Sequence, residues 1–321
     1  MKVHPPSERK TVPTQSEVSR LSDATFSESE FPEFETGPKL PGLDIEVRNP
    51  GVVRGRMQFA LFDFDGTISL IRAGWQDVMT PMLVEKLLDL ETGEPEAELH
   101  ALVEHFVVTL TGKQTIYQMM RLAEEILKRG GQPQDPVEYK REYLDRLWQG
   151  IESRVAAVRE GSIDAEQMRV PGSLELVREL AERGVTLYLA SGTDIEYVRS
   201  EARLVGMADY FEPHIYGAVD DYRSFSKKMI IDRILTENAL HGPELVAFGD
   251  GYVEILNVKE AGGVAVGAAT DEYTREGVND WKRNRLVQAG ADIIVPEFRQ
   301  WRQLVAYLMA EEPYEGEQHA V

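Results

Sequence analysis

The sequence predicts an α/β fold built on an open, doubly wound parallel sheet. Short and almost wholly apolar runs recur from Met57 onward, and strands covered on both faces need such runs. Segments with helical periodicity and their own start and stop signals lie between these runs. Strand and helix in alternation produce a parallel sheet with helices packed on both of its faces.

Five apolar runs are the predicted strands, and two of the helices between them have clear ends. Ser173 is predicted to cap "SLELVRELAERG", which Gly184 terminates. Thr193 and Glu196 have the spacing of a capping box that opens "IEYVRSEARLVG". In chain order the strand runs are "MQFALFDFD" from Met57, "VTLYLAS" (185–191), "LVAFGD" (245–250), "GVAVGAA" (263–269) and "ADIIVPEF" (291–298).

A long segment after the first strand departs from this alternation. Residues 72–168 show no convincing strand pattern, but they contain helical stretches such as "TIYQMMRLAEEILKRGG" and "VEYKREYLDRLWQGIESRVAAVRE". The segment is too long for a crossover connection. We therefore expect an all-helical domain inserted beside the carboxyl edge of the sheet, where open α/β folds bind ligands.

The two ends of the chain differ in composition from its middle. Residues 1–42 are rich in Pro, Ser, Thr and Glu without a helical or strand period, which is typical of a disordered or loosely attached acidic arm. Within this arm, residues 26–34 are either a solvated stretch or a short docking motif. The predicted divisions are an α/β core over 43–71 and 169–310, a helical insert over 72–168, and an acidic tail over 311–321.

Composition limits the chemistry and the partners. With 321 residues and 42% hydrophobic content, the chain can bury a substantial core. It has no cysteine, so a metal must use oxygen or imidazole ligands, and a reducing compartment is expected. The net charge of −20 disfavours a nucleic acid bound by a broad basic face. No apolar run approaches the roughly 20 residues that span a bilayer, so we expect a cytoplasmic protein without membrane contact.

Two aspartates, Asp63 and Asp65, end the first predicted strand in "ALFDFDGTIS". Their carboxylates repel each other unless a cation binds or one takes up a proton, so the pair implies a metal, a shared proton or both. Gly66 suits the turn that the backbone needs there. An aspartate-rich turn that caps a helix is an alternative explanation of the pair in isolation. An EF-hand loop matches poorly, because its glycine follows three alternate ligands and helices flank the loop.

Polar residues near the ends of later elements supply anion-binding groups. "LASGTD" places Ser191, Gly192 and Thr193 at the sheet edge and at the start of a helix, where a hydroxyl and backbone N–H groups suit a phosphate oxygen. An ordinary helix cap explains Thr193 equally well, but it explains Ser191 less well. Lys227 and Lys228 begin another helix, whose dipole disfavours a cation unless an anion lies nearby. Lys227 precedes the apolar stripe and is the preferred candidate.

A third strand end, "FGDGYVE", supplies Asp250 and, one helical turn later, Glu254. In isolation, Asp250 between two glycines is explained equally well as a turn residue. At the same sheet edge as Asp63, it completes an oxygen-rich site suited to Mg²⁺, which takes few carboxylates together with water and substrate phosphate.

The ordered motifs "DFDGT", "ASGT", a downstream lysine and "GDGYVE" resemble those of the haloacid dehalogenase superfamily of phosphohydrolases, over about residues 57–310. The resemblance implies a Rossmann-like core with a helical cap, as in phosphoglycolate phosphatase-like and β-phosphoglucomutase-like members. It implies that Asp63 is the nucleophile that forms an aspartyl phosphate, and that Asp65 is first a general acid and then a base.

The same resemblance implies roles for the other site residues. Caps exclude water and supply specificity. Gly112 interrupts the helical pattern of the insert in "LTGKQTIYQ", so Lys113 and Gln114 are candidates for substrate contact, with an exposed interhelical loop as the alternative. The expected phosphate-binding residues are Thr67, Ser191, Gly192 and Lys227. The expected Mg²⁺ ligands are Asp63, the backbone carbonyl of Asp65 and Asp250, with Glu254 either a further ligand or just outside the ligand set.

The predicted activity is Mg²⁺-dependent hydrolysis of a small phosphorylated metabolite, a sugar or organic acid phosphate. Asp65 favours phosphate esters, because members resembling dehalogenases or phosphonate-cleaving enzymes lack this acid. A β-phosphoglucomutase-like phosphomutase uses the same two aspartates and is the alternative, and a catalytically quiet phosphate-binding scaffold is a third. The basic cluster Lys282, Arg283 and Arg285 is interpreted as a solvated helix face or a contact for the acidic arm, without a catalytic role. The oligomeric state is open.

Overall fold

A computed structural model describes residues 33–219 and 221–311. Its strands are β1 (Glu46–Val47), β2 (Phe59–Phe62), β3 (Thr186–Asp194), β4 (Ile215–Ala218), β5 (Leu245–Gly249), β6 (Val264–Ala268) and β7 (Ile293–Val295). They form one sheet with the order β1-β7-β6-β5-β2-β3-β4. All neighbouring pairs are parallel except β1 with β7. The predicted parallel α/β sheet is confirmed.

The apolar runs follow from burial on both faces of the sheet. β2 lies at the centre, with Phe62 paired to Leu189 of β3 and to Phe248 of β5. Along β2, Phe62 packs into one hydrophobic cluster and Leu61 into a second cluster on the other face. The rings of Phe62 and Phe248 stack with centroids 4.5 Å apart. Because successive side chains of a strand point to opposite faces, covering both faces requires an apolar residue at every position.

Four helices lie between β2 and β3 and form the predicted all-helical insert. They are α1 (Trp75–Leu88), α2 (Glu96–Thr109), α3 (Ile116–Lys128) and α4 (Pro136–Arg159), followed by a 3₁₀ turn (Ala165–Met168). Asp135 caps α4 by accepting a hydrogen bond from the Val137 N–H at 2.9 Å, and Pro136 occupies the first turn, where its missing N–H costs nothing. The apolar faces of these helices join the same hydrophobic cluster as Phe62, so the insert packs directly on the core.

The remaining helices alternate with the strands of the core. They are α5 (Ser173–Glu182), α6 (Ile195–Leu204), α7 (Ala208–Phe211), α8 (Lys227–Glu237), α9 (Tyr252–Glu260), α10 (Asp280–Gln288) and α11 (Trp301–Leu308), with a 3₁₀ turn at Tyr222–Ser224. The predicted caps of two of them are wrong. Gly172, not Ser173, is the N-cap of α5, and Asp194, not Thr193, is the N-cap of α6. Ser173 is instead the first buried residue of α5.

Two strands lack a sequence signal strong enough to predict them. β1 has only two residues, which is too short for a strand period to emerge, and Gly217 weakens the strand signal of the four-residue β4. β1 is held at the sheet edge by an ion pair, in which Arg283 of α10 donates from Nε to Glu46 Oε2 at 2.7 Å and from Nη2 to Oε1 at 2.7 Å. This bidentate pair adds to the burial of Ile45 and Val47, which are 1% and 6% exposed.

The chain ends lie mostly outside the described residues. This applies to residues 1–32 of the predicted arm, including most of the proposed docking motif, and to residues 312–321 of the predicted tail. From residue 33 the backbone follows α10, where Arg283 donates to the carbonyl oxygens of Phe34 at 2.9 Å and Glu35 at 3.0 Å. In the part of the chain that is described, no helix has the length and apolarity to cross a membrane. The domain boundaries stay a prediction.

Candidate active site

A polar cleft opens between the carboxyl edge of the sheet and the helical insert. It encloses about 760 Å³, counted to its open mouth. The turns after β2, β3 and β5 form its floor, and α1, α3, α4 and the loop 110–115 form its roof. Of the predicted site residues, those that line it are Asp63, Asp65, Lys113, Ser191, Gly192, Lys227 and Asp250, whereas Thr67, Gln114 and Glu254 do not.

Asp63 is a buried carboxylate on the floor, directly after β2. Its Oδ1 accepts a hydrogen bond from the Phe64 N–H at 2.8 Å and lies 2.8 Å from Lys227 Nζ, while its Oδ2 accepts none from any described residue. Burial raises the pKa of this carboxyl well above its usual value. The Lys227 ammonium opposes the rise, and the carboxylates of Glu254 and Asp250 add to it. One oxygen is thus anchored, and the other is available to a substrate or a cation.

Asp65 lies two residues further on and faces the end of β3. Its Oδ2 accepts hydrogen bonds from the hydroxyls of Ser191 at 3.0 Å and Thr193 at 2.9 Å, and its buried Oδ1 has no hydrogen-bond partner among the described residues. β3 continues through Asp194, which leaves the Thr193 hydroxyl to bond Asp65 rather than cap α6. Ser191 and Thr193 are alternate residues of a strand and share a face. The spacing of two residues between Ser191 and Thr193 is therefore the feature of the sequence that indicates their shared contact with Asp65.

Lys227 places its ammonium between two carboxylates. Its Nζ lies 2.8 Å from Asp63 Oδ1 and 2.8 Å from Glu254 Oε2. Burial disfavours the ammonium, but the two carboxylates outweigh that effect and raise the pKa of Lys227. Glu254 Oε1 accepts a hydrogen bond from the Gly251 N–H at 2.6 Å, so both oxygens of Glu254 have partners within the protein. The side chain of Lys228 is 52% exposed and lies near surface carboxylates.

Asp63, Asp250 and Glu254 bring ligand oxygens within 4.8 Å of one another. Gly66 permits this approach: its φ is +75°, and a Cβ at this position would lie 2.2 Å from Asp250 Oδ2. Carboxylates so close together repel each other unless cations lie among them, and Lys227 already lies between Asp63 and Glu254. Both oxygens of Glu254 have close partners, at 2.8 and 2.6 Å, whereas among the described residues Asp250 Oδ1 has only the Thr67 hydroxyl at 3.5 Å. Asp63 and Asp250 are therefore the side chains that suit Mg²⁺, which takes few carboxylates.

The comparison with known proteins identifies the family. The chain matches the family model of the haloacid dehalogenase-like hydrolases over residues 57–262, more than half of its length. It belongs to this family. The matched residues contain Asp63, Asp65, Ser191, Lys227 and Asp250. The resemblance drawn from the sequence motifs is thereby confirmed.

Solved structures agree on the fold. A predicted phosphoglycolate phosphatase from Haemophilus somnus 129pt is 16% identical with a TM-score of 0.50, over 78% of this chain and 98% of that one. A predicted phosphatase from Clostridium acetobutylicum is 15% identical with a TM-score of 0.50, over 78% of this chain and 99% of that one. Similarity at such identities shows the fold alone. A search of curated protein sequences gave no match.

Lys282 is a cation of this hydrolase's site that no sequence motif predicted. Its Nζ lies 2.7 Å from Asp250 Oδ2 and also bonds the carboxylate of Glu272, which lines the cleft. The two carboxylates raise its pKa against the opposing effect of burial. The interpretation of Lys282 as part of a solvated face or an arm contact is wrong, because its side chain is only 12% exposed and pairs with the carboxylates of Asp250 and Glu272. Lys282 lies in the first turn of α10, capped by Asn279, so the dipole argument used for Lys227 applies equally to it.

The other two members of the predicted basic cluster point inward as well. Arg283 pairs with Glu46 and reaches residues 34–35, in agreement with the predicted arm contact. Arg285 is buried and donates to the Val108 carbonyl oxygen at 2.7 Å, which ties α10 to the end of α2. The prediction of a solvated helix face is therefore wrong for these arginines.

A buried ion pair borders the cleft beside Asp65. Arg72 donates to Glu201 of α6, from Nη2 to Oε1 at 2.6 Å and from Nε to Oε2 at 3.0 Å. Arg72 Nε lies 3.9 Å from Asp65 Oδ1, too far for a hydrogen bond. The pKa of Glu201 is raised by burial, and that of Arg72 is raised by its partner. The pair links the start of the insert to the core, and no sequence motif predicted it.

The loop 110–115 brings the insert onto the core. Gln114 does not face the cleft: its Nε2 donates to the carbonyl oxygens of Tyr222 at 2.9 Å and Phe225 at 2.7 Å. Lys113 lines the cleft, and burial lowers its pKa. At Gly192, a Cβ would lie 2.6 Å from the Lys113 carbonyl oxygen, so only glycine permits the loop to lie this close. Thr67 is buried, with Oγ1 3.5 Å from Asp250 Oδ1.

Proposed function

We propose that this hydrolase is a Mg²⁺-dependent phosphatase that hydrolyses a small phosphorylated metabolite through an aspartyl-phosphate intermediate. The observation that carries the proposal is the Asp63 carboxylate. It is buried at the floor of a cleft, one oxygen is anchored by Lys227 and a backbone N–H, and the other has no described hydrogen-bond partner. A positioned and desolvated carboxylate is suited to nucleophilic attack on phosphorus.

In the first step, Asp63 Oδ2 forms a bond to phosphorus while the ester P–O bond breaks. Asp65, in its acid form, gives its proton to the leaving oxygen, so an alcohol departs. Ser191 and Thr193 both donate to Oδ2 of Asp65, which leaves Oδ1 as the oxygen that carries this proton. The Lys227 ammonium offsets the charge of the phosphoryl oxygens.

In the second step, water attacks phosphorus and gives a proton to the Asp65 carboxylate. The Asp63 acyl–phosphate bond breaks, inorganic phosphate leaves, and both aspartates return to their starting states. Ser191 and the Gly192 N–H are proposed to hold the phosphoryl group through both steps. Mg²⁺, held by Asp63 and Asp250, would neutralise phosphoryl charge and keep Asp63 ionised.

Glu254 has a different proposed role from the one the sequence suggested. Its oxygens bond Lys227 and the Gly251 N–H, so it positions the lysine rather than binding the metal. Thr67 is proposed to support Asp250 rather than to contact phosphate, because it does not line the cleft. A cytoplasmic location and a small phosphorylated partner stay predictions.

The test is hydrolysis of para-nitrophenyl phosphate with and without Mg²⁺. We expect Mg²⁺-dependent release of phosphate, lost on chelation and restored by added Mg²⁺. Asp63→Asn is expected to lower kcat by roughly 10³-fold or more. Asp89→Asn, the same change on the surface of the insert, is the control and is expected to have no effect. Full activity in Asp63→Asn would refute the mechanism.

A trapping experiment separates hydrolysis from the phosphomutase alternative. Acid-quenched enzyme should carry a phosphoryl group on Asp63 that hydroxylamine removes, as an acyl phosphate requires. A phosphatase releases inorganic phosphate from sugar phosphates, whereas a phosphomutase converts them into isomers and needs a bisphosphate activator. Isomer formation without phosphate release would favour the phosphomutase.

A further inference from the structure

Two polar side chains on the roof of the cleft have no hydrogen-bond partner in the described part of the protein. Gln118, on α3, is 3% exposed, and its buried Oε1 accepts no hydrogen bond. Tyr143, on α4, is 4% exposed, and its hydroxyl bonds no described residue but, unlike Gln118 Oε1, is not fully buried. Both residues line the same cleft as Asp63, and both come from the insert rather than from the sheet.

Unpaired buried polar groups are uncommon in folded proteins, because they lose their hydrogen bonds to water without replacement. Gln114, four residues earlier, differs from Gln118 in that its amide nitrogen donates to two backbone carbonyls, although its Oε1 also has no partner among the described residues. Neither end of the Gln118 carboxamide has such a partner within residues 33–219 and 221–311. A carboxamide that lines a substrate cleft in this state is suited to pair with the substrate.

The charge of the cleft is concentrated on its floor. The carboxylates of Asp63, Asp65, Asp250 and Glu272 lie there together with the Lys227 ammonium. The lining of α1, α3 and α4 consists of neutral side chains, namely Trp75, Met79, Gln118 and Tyr143. Two cations border this lining, Lys113 of the loop 110–115 and Arg72, and Arg72 is already paired with Glu201. The roof therefore suits a neutral polar group.

Hydrogen-bond chemistry narrows this group further. A carboxamide presents a donor and an acceptor, and a phenol can do both. A substrate hydroxyl can satisfy both kinds of group, whereas a carboxylate can only accept. Burial raises the pKa of the Tyr143 phenol against the opposing charge of Arg72, and the Asp65 charge adds to the rise, so the phenol keeps its proton and can donate.

We propose that Gln118 and Tyr143 form a recognition site for hydroxyl groups of the leaving alcohol, so that the substrate is the phosphate ester of a sugar or polyol rather than of a hydroxy acid. This proposal rests on the phosphatase function proposed above. It selects one of the two metabolite classes that the sequence left open. It also assigns specificity to α3 and α4 in place of Gln114.

The experiment compares Gln118→Leu and Tyr143→Phe with Gln149→Leu, a matched change at an exposed position of α4. The substrates are glycerol phosphate, a hexose phosphate, phosphoglycolate and para-nitrophenyl phosphate, each with Mg²⁺. Loss of one hydrogen bond predicts that each of the first two variants lowers kcat/KM for the hydroxylated substrates by about tenfold. The aryl phosphate, which lacks a hydroxyl, should change by less than about twofold in every variant. Gln149→Leu should match the wild type throughout.

A thermal measurement distinguishes recognition from a structural role. Gln118→Leu is expected to melt at or above the wild-type temperature, because leucine removes a buried amide that has no partner. The proposal is overturned if Gln118→Leu affects aryl and hydroxylated substrates equally or affects neither, or if the wild type prefers phosphoglycolate. A wild type that leaves the aryl phosphate intact would refute the phosphatase function and this site with it, so the two failures are distinguishable.

Discussion

Replacing Lys227 by methionine is expected to destabilise the protein as well as to stop turnover, whereas the same change at Lys228 is expected to do neither. The Lys227 side chain is 3% exposed and lies 2.8 Å from each of two buried carboxylates, Asp63 and Glu254. Removing one partner of a buried ion pair costs about 3–5 kcal/mol, because the remaining charges stay buried without compensation. Lys228 is 52% exposed, and its nearest carboxylates are 3.6 and 3.7 Å away. Its loss should cost at most about 0.5 kcal/mol.

The assay is thermal unfolding of both variants at neutral pH without added metal. A change of 1 kcal/mol shifts the melting temperature of a chain of this size by about 2–4 °C, so Lys227→Met should melt roughly 10 °C lower. Lys228→Met should stay within about 2 °C of the wild type. The double variant Lys227→Met/Glu254→Gln should recover part of the loss, since it removes one of the two uncompensated charges. Equal melting temperatures for the two lysine variants would show that the ammonium is not holding a buried pair together.

Three further changes test other contacts. Gly66→Ala should lower kcat roughly 10²-fold, because the added methyl group would displace the Asp250 carboxylate. Gly42→Ala is the control: Gly42 has a similar positive φ of +71° but open space around it, so activity should be unchanged. Glu46→Gln should destabilise the protein by about 3 kcal/mol at pH 7. Burial raises the pKa of Glu46, but hydrogen bonds, led by the one from Arg283, outweigh burial and hold this pKa below its ordinary value of 4.5. The difference in stability between variant and wild type should therefore shrink as pH falls below 4.5. Gln114→Leu should cost about 1–3 kcal/mol by leaving two carbonyls unpaired.

Each of these expectations has a result that contradicts it. Equal activity in the two glycine variants would mean that the turn after β2 tolerates a side chain. A Glu46→Gln defect that stays constant from pH 7 down through pH 3 would show that the glutamate charge is not the stabilising element. Gln114→Leu as stable as a surface glutamine variant, such as Gln149→Leu, would show that loop 110–115 is held by other contacts. Unfolding monitored by circular dichroism is sufficient to test the expectations for Glu46→Gln and Gln114→Leu.

Much of the fold follows from local pattern. Strands such as β2 and β5 are buried on both faces, so they must be apolar at successive positions, and that run is visible without knowledge of the partners. Carboxylates directly after such strands meet at one sheet edge because parallel strands share a direction. Asp63, Asp65 and Asp250 could be grouped for this reason, although 185 or more residues separate Asp250 from the first two.

Other features depend on contacts that no local pattern contains. β1 is held by its pairing with β7 and by the contact of Glu46 with Arg283, and a two-residue strand has no period of its own. Thr193 had two acceptable local roles, and the extension of β3 decided between them. Gln114 was a reasonable substrate contact until the carbonyls of Tyr222 and Phe225 proved to be its partners.

The sequence by itself determined the α/β class, the helical insert and the set of carboxylates and lysine that identify the family. Each of these depends on spacing along the chain, through strand and helix periods or through the ends of neighbouring parallel strands. Only the tertiary structure decided which polar groups are paired. It joined Lys282 to Asp250, gave both oxygens of Glu254 a partner, and left Gln118 Oε1 without a described partner beside the cleft. Hydrogen bonds act over about 3 Å, so pairing is set by distances that only the folded chain defines.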